Sequence, residues 1–201
     1  MRIGMNSIVL SSIAIAAAST FATADLVEFE GIAPPGGDVL LFDMYSELGW
    51  EFREMLNDDF RIVSATFGGT QLTNPTGDFG FTQGATTTTI EVRHETGGAF
   101  DFLSFDAAML FGGGPGDHVI TGFLNGGGTI SQTITVPKVA SNGGAMQTFA
   151  LDWSDLLSVQ IERVSGIWTG YDNFNLNLVP APGVLAMFGL AGFAARRKRR
   201  M

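Results

Sequence analysis

Cysteine is absent from this sequence of 201 residues, and histidine occurs only twice. Without cysteine, disulfide bonds cannot stabilise the fold and no thiol chemistry is available. Two histidines, His94 and His118, are too few for a histidine-rich metal centre. We therefore expect stability to come from packing, with or without a bound cation.

Positive charge is also scarce in the body of the chain, residues 25–178. This segment contains all 20 acidic residues but only five of the 11 basic ones, so its net charge is −15. Such a surface repels nucleic acid and anionic lipid headgroups, and it favours divalent cations or neutral partners. We therefore predict no nucleic-acid partner.

Motifs of known enzyme classes are missing as well. The sequence contains no G-x-S-x-G, no P-loop, no H-E-x-x-H and no G-x-G-x-x-G that opens a helix. Each histidine has a carboxylate as its chain neighbour, Glu95 or Asp117, but adjacent residues on a strand point to opposite faces. A glycosidase pair cannot be inferred from 20 scattered carboxylates. We predict no catalytic residues.

The N-terminus has the pattern of a secretory signal peptide. Arg2 supplies the positive charge, residues 8–18 form a mostly apolar stretch, and Ala22-Thr23-Ala24 is a small-residue cleavage site. Residues 1–24 are therefore predicted to be removed during export, and the mature chain begins at Asp25.

The C-terminus has three parts in a fixed order, within residues 179–201. A proline motif (Val179, Pro180, Ala181, Pro182, Gly183) is followed by an apolar run, residues 184–195, and a basic cluster (Arg196, Arg197, Lys198, Arg199, Arg200). As a helix the uncharged run spans about 20 Å, less than the roughly 30 Å of a bilayer core. The basic cluster would stay in the cytoplasm. We predict a short membrane anchor, and a terminal amphipathic or buried helix is the alternative.

These three parts resemble the PEP-CTERM sorting signal, in a variant with Ala181 where the family usually has Glu. The resemblance implies an exosortase-like processing enzyme as a partner and transient attachment to the inner membrane. It also implies a mature protein in the cell envelope or outside the cell.

The body has the period-two pattern of strands. The final segment is the clearest, because Phe174, Leu176 and Leu178 alternate with asparagines. Residues 44–52 are predicted as one strand, although residues 51–56 are also good helix formers. The other predicted strands are residues 26–30, 60–67, 86–93, 99–106, 118–124, 129–136, 146–151 and 157–163, with turns at glycine runs and at residues 152–155. The pattern predicts a single all-β domain, an antiparallel β-sandwich of the jelly-roll type.

Several short segments of the body resemble galactose-binding-like jelly rolls of carbohydrate-binding modules, among them residues 28–30, 100–106 and 171–174. That resemblance implies a structural Ca²⁺ bound by the first and last strands, for which Glu28, Glu30 and Asp172 are the candidate ligands. Asp172 has the parity of Phe174, so we expect it to point inward. An arginine such as Arg163 is the alternative partner for its charge.

Exposed aromatic rings would serve a sugar-binding surface. Trp153 and Trp168 lie near predicted turns, so they are the candidates for exposure, although large aromatics are more often core residues. Our main interpretation is a non-enzymatic exported protein of the extracellular matrix or polysaccharide layer. The alternative is a carbohydrate-binding module with a defined sugar specificity, and the third is a carbohydrate-active enzyme.

Overall fold

The structure is a computed structural model that describes residues 23–33, 40–41, 43–55, 60–64, 72–74, 77–82, 87–110, 114–139 and 144–180. The predicted signal peptide up to residue 22 and the predicted sorting tail from Ala181 onward lie outside these described residues. Within them, no helix is long and apolar enough to cross a membrane.

The described residues form strands. They are β1 (Asp25–Val27), β2 (Leu40–Leu41), β3 (Met44–Glu47), β4 (Trp50–Glu54), β5 (Phe60–Ser64), β6 (Leu72–Asn74), β7 (Asp78–Thr82), β8 (Thr88–His94), β9 (Phe100–Met109), β10 (Gly116–Leu124), β11 (Thr129–Val136), β12 (Gly144–Ala145), β13 (Gln147–Arg163) and β14 (Thr169–Leu178). Among the described strands, the pairs of the main sheet are antiparallel, and the small β6–β12 pair is parallel. The predicted all-β antiparallel sandwich of jelly-roll type is confirmed.

Strand β13 joins two layers. Its first part pairs with β9, and its second part pairs with β8 on one side and β10 on the other. The first layer therefore contains β2, β5, β7, β14, β9 and the start of β13, with β1 beside β14. The second layer contains β11, β10, the end of β13, β8, β4 and β3.

Our prediction that residues 152–155 form a turn between two strands is wrong. They lie inside β13, where the register with β9 shifts between Ala150 and Trp153 and again between Trp153 and Leu156. Asp152 and Asp155 have φ of 52° and 58°. Aspartate adopts this left-handed conformation more readily than most residues, so the chain bends between the layers without ending the strand.

Residues 44–52 also differ from the prediction, because they form a hairpin instead of one strand. Leu48 and Gly49 have φ of 52° and 84°, and Glu47 pairs with Trp50. A two-residue loop with positive φ at both positions matches the twist of the flanking strands. The helix alternative for residues 51–56 is wrong too, since Trp50–Glu54 is strand β4.

The core between the layers is rich in aromatic rings. Phe174 on β14 lies 4.9 Å from Phe52 and 5.6 Å from Phe105, measured between ring centroids. Each fully buried phenylalanine stabilises the fold by roughly 1.5–3 kcal/mol. A second, smaller cluster packs on the other face of the first layer; its members are Val63, Phe79, Phe81, Ala108, Leu110 and Met146.

Candidate ligand-binding face and acidic cluster

The outer face of the second layer presents polar side chains. In β10, His118 and Ile120 are fully buried, whereas Val119, Thr121 and Phe123 between and beyond them are half-buried. Side chains of a strand alternate between the two faces of a sheet, so these three residues lie on the outer face.

Strand pairing across this layer aligns five polar side chains on its outer face. Thr121 lies opposite Ser131 of β11 and Gln160 of β13, Gln160 lies opposite Glu91 of β8, and Glu91 lies opposite Arg53 of β4. Directly opposite residues share a face of the sheet. Ser131, Thr121, Gln160, Glu91 and Arg53 therefore form one row perpendicular to the strands, which we call the polar row.

Much of the hydrogen-bonding capacity of the polar row is unused. Ser131 donates to the carbonyl oxygen of Ile120 over 3.1 Å, and its Oγ lies 3.5 Å from Oγ1 of Thr121. In the described part of the chain, no hydrogen bond or ion pair engages the side chains of Gln160, Glu91 or Arg53. The row therefore offers hydroxyl, amide, carboxylate and guanidinium groups to an external ligand.

An aromatic ring lies beside the polar row. Phe123 is two residues beyond Thr121 on β10, and it is half-buried on the same outer face. Its neighbours across the strands are Ser158 and Thr129, both small. One apolar ring among convergent polar groups is a usual composition of a ligand site.

The predicted tryptophan platform is not found at Trp153. This side chain is only 8% exposed and belongs to the main core. Its ring atom Cε3 would lie 3.0 Å from a Cβ added at Gly122, so the glycine leaves room for it. The predicted exposure of Trp153 is wrong because β13 continues through this point and turns the ring inward.

Trp168 precedes β14 and is half-buried against the second cluster. Its carbonyl oxygen accepts a hydrogen bond from the backbone of Leu110 over 2.8 Å. A sugar-binding role for Trp168 stays a prediction.

The sequence did contain a signal for Phe123, since it alternates with the buried His118 and Ile120 in a strand that was predicted correctly.

The predicted metal ligands Glu28 and Glu30 follow β1 and are exposed, as their alternation with Val27 and Phe29 indicates. Phe29 between them is fully buried and has φ of 57°, a conformation that bulky residues rarely adopt. Its amide donates to Oε2 of Glu47 over 3.1 Å. The positive φ ends the β1 pairing and turns the chain at the end of the sandwich.

Asp172 is buried, as predicted, but on a different face of the sheet from Phe174. Asp172 pairs with Asp106, but the register then shifts by one residue, and Asn173 at the shift has φ of 51°. This β-bulge breaks the parity on which the prediction rested. Asp172 therefore shares a face with Asp106, which lies next to Ala108 and the second cluster, and not with Phe174 in the main core.

The Asp172 carboxyl group is buried among other acids. The residue is 1% exposed, and its Oδ1 has no hydrogen-bond partner. Burial, together with the charges of Glu30, Asp106 and Glu28, raises its pKa to about 8, although the Asn173 amide acts in the opposite direction. The neighbouring Asp106 accepts a hydrogen bond from Nδ2 of Asn173 over 2.9 Å. We call Glu28, Glu30, Asp106 and Asp172 the acidic cluster.

Arg163, our alternative partner for Asp172, lies at the end of β13 directly opposite His118. It is buried, and its Nη1 donates to the carbonyl oxygen of Ile167. Burial, together with the charge of Arg163, lowers the pKa of His118 to about 4. This arginine is thus placed beside His118 and Tyr171. Burial raises the pKa of Tyr171 to about 12, and the charge of Arg163 acts in the opposite direction with a smaller effect.

The acidic cluster, as it stands, does not form a metal cage. Across the described segments, no three histidine, aspartate or glutamate side chains are arranged to hold one metal ion. The uncompensated oxygen of Asp172 would suit a hard cation, but Glu28 and Glu30 would have to turn toward it. Bound Ca²⁺ at this place therefore stays a prediction.

Comparisons with known proteins give structural matches only. No family model and no curated protein matches this sequence. The fold is similar to the CBM22-1–GH10 modules of xylanase 10B from Clostridium thermocellum complexed with xylohexaose, at 11% identity and a TM-score of 0.45, over 80% of this chain and 29% of that one.

Two isolated binding modules are also similar. A xylan-binding domain from CBM22 is 13% identical over 79% of this chain and 96% of its own length, with a TM-score of 0.41. TmCBM61, solved in complex with β-1,4-galactotriose, is 10% identical over 66% of this chain and 90% of its own length, with a TM-score of 0.39. Both of these proteins are binding modules.

These matches correct our main interpretation of the function, a non-enzymatic exported protein of the extracellular matrix or polysaccharide layer. Carbohydrate-binding modules are among the solved structures with a similar fold, and they support the carbohydrate-binding alternative better than the main interpretation. With identities of 10–13%, the likeness concerns the fold and says nothing of what this chain binds.

Proposed function

We propose that this chain is a carbohydrate-binding module that holds a neutral polysaccharide across the polar row, next to Phe123. The observation that carries the proposal is the alignment of unengaged Gln160, Glu91 and Arg53 with Thr121 and Ser131 on one outer face. Sugar hydroxyls both donate and accept hydrogen bonds, and the row supplies both kinds of group.

The dimensions of the row suit an extended chain. Neighbouring strands lie about 4.8 Å apart, so five side chains on successive strands span about 19 Å. An oligosaccharide laid across the strands would meet a new polar side chain at each one. The ring of Phe123 would contact the apolar face of one sugar unit at the edge of the row.

Charge favours a neutral ligand over an acidic one. Glu91 and Arg53 within the polar row have opposite charges, whereas the body as a whole has a net charge of −15. An anionic polysaccharide would be repelled at long range. We therefore expect binding to neutral glycans such as xylan or galactan and none to alginate.

Affinity electrophoresis and calorimetry with these three polysaccharides test the proposal. We expect Gln160→Ala and Phe123→Ala each to weaken binding about tenfold, since one lost polar or aromatic contact costs about 1 kcal/mol or more. Ser46→Ala, exposed on β3 outside the row, is the matched control. Binding that survives both row variants but disappears in Trp168→Ala would move the site to Trp168, and no binding to any glycan would refute the function.

We also propose that the chain is exported and sorted through its C-terminal tail, with an exosortase-like enzyme as its partner. Two described residues belong to the motif: the amide of Val179 donates to Ala99 over 2.8 Å, and Pro180 is exposed. The body thus ends in a hydrogen-bonded residue directly before an accessible one. Mass spectrometry of the exported protein tests this, and an intact arginine-rich C-terminal peptide in the surface fraction would contradict removal of the tail.

A further inference from the structure

Within the part of the chain that the structure describes, strand β11 forms an open edge of the second layer. Among the described strands it pairs only with β10, through eight consecutive residue pairs without a register shift. Six of its eight residues are exposed; the buried ones are Ile134 and Val136. A long, regular edge strand presents unpaired backbone groups that another strand could bind.

The sequence of β11, Thr-Ile-Ser-Gln-Thr-Ile-Thr-Val, has no charge and no proline. Lysine, proline, bulges and short length are the usual protections of an edge. The other edges that the structure describes have such protection: β1, β2 and β3 have two to four residues, and the first part of β13 is bulged around Asp152 and Asp155. Strand β11 is the exception.

The hairpin geometry shows which backbone groups face outward. The amide of Leu124 donates to the carbonyl of Gly128, so this pair is hydrogen-bonded, and hydrogen-bonded pairs alternate along an antiparallel ladder. The residues of β11 bonded to β10 are therefore those with even numbers. The amides and carbonyls of Thr129, Ser131, Thr133 and Thr135 face the open edge.

We propose that β11 pairs antiparallel with β11 of a second copy of this chain, in the register that places Gln132 opposite Gln132. In this register Ser131 faces Thr133 of the other copy and Thr129 faces Thr135, which are favourable hydroxyl pairs. Ile130 meets Ile134. Residues of equal parity oppose each other, so the two cores stay on the same side of the joined sheet.

Charge supports a second copy as the occupant. Two bodies with net charge −15 repel each other over most of their surface, and the edge free of charge is where they can approach. A two-fold axis through Gln132 closes the assembly as a dimer. Eight residues a side make a small interface, so we expect a weak, concentration-dependent dimer.

A single introduced cysteine tests the register, because the chain has none of its own. Gln132 would form a non-hydrogen-bonded pair with its copy, with Cα atoms about 4.5 Å apart, a distance that a disulfide can span. In the full chain under mild oxidation, we expect Gln132→Cys to form covalent dimers at least about tenfold faster than Ser46→Cys, because pairing raises the effective concentration of the thiol. Equal rates would overturn the proposal.

A backbone variant tests the pairing itself. Thr133→Pro removes an outward amide without touching the bonds to β10, whereas Thr133→Val keeps the amide. By analytical ultracentrifugation of the full chain, we expect the proline variant to associate about tenfold more weakly than wild type and the valine variant to be unchanged. A folded Thr133→Pro variant that associates like wild type contradicts the proposal, and if that variant does not fold, the cysteine rates decide.

Discussion

Replacing Asp172 with asparagine should remove a pH-dependent cost from the folded protein. The buried carboxyl group has a pKa of about 8 in the fold against an ordinary value of 3.8. The stability that depends on protonated Asp172 is therefore fully present below about pH 4 and is lost as the pH rises from there through about 8. Asparagine has nearly the same shape and stays neutral throughout, so the variant should lack this loss.

The size of the effect follows from the shift. Each pKa unit is worth about 1.4 kcal/mol, so a shift of about four units sets an upper limit of about 6 kcal/mol. Entry of water and movement of Glu28 and Glu30, which are exposed, would reduce this value. We expect Asp172→Asn to be about 2–4 kcal/mol more stable than wild type at pH 9, or roughly 5–15 °C in Tm.

Thermal unfolding at pH 5, 7 and 9 in the presence of EDTA is the assay. The difference in Tm between wild type and Asp172→Asn should be small at pH 5, larger at pH 7 and largest at pH 9. Glu162→Gln, which removes a half-exposed carboxylate on β13, is the control and should stay parallel to wild type. If the Tm of Asp172→Asn also changes with pH in parallel with that of wild type, the conclusion that Asp172 is buried and protonated is refuted.

Three further results are expected. Ca²⁺ in place of EDTA should raise the Tm of wild type at pH 8 but not that of Asp172→Asn; an equal response of both would remove the calcium prediction. Gly77→Ala should make the loss of stability between about pH 4 and about pH 8 smaller and end it at a lower pH, because the new Cβ would lie 1.6 Å from Oε2 of Glu30 and displace a charge that raises the pKa of Asp172; a loss as large as that of wild type would contradict this. His118→Gln should flatten the loss of stability that wild type shows as the pH falls from about 6.5 to about 4, because the buried imidazole resists protonation; unchanged acid unfolding would contradict this.

Much of the strand content was readable from local pattern. Residues 129–136 were predicted with the bounds that β11 has, and the alternation of Phe174, Leu176 and Leu178 placed the correct face of β14 in the core. These elements are regular, so period two alone determines which side chains are buried. The face on which Asp172 lies could not be predicted in this way, because a β-bulge at Asn173 changes the alternation of side chains, and nothing in the local sequence marks the bulge.

The polar row could not be predicted from the sequence. Arg53, Glu91, Thr121 and Gln160 come from four strands far apart in the chain, and only the pairing register brings them into line. A shift of one residue in any of these strands would send its side chain to the core. The register in turn depends on the buried residues of each strand, such as Ile120 and Ile161, which lie opposite each other.

The end of the sandwich near β1 combines two unfavourable features: the left-handed backbone conformation of Phe29 and the buried carboxyl group of Asp172. A strained backbone of this kind costs about 1–3 kcal/mol. The ring of Phe29 offsets it, because it packs 5.1 Å from Phe52 and 5.9 Å from Phe174, and Glu47 holds its amide. The same turn carries Glu28 and Glu30 back toward Asp172. The aromatic core thus stabilises the backbone turn that holds Glu28 and Glu30 near Asp172, and their charges help to keep the Asp172 carboxyl group protonated.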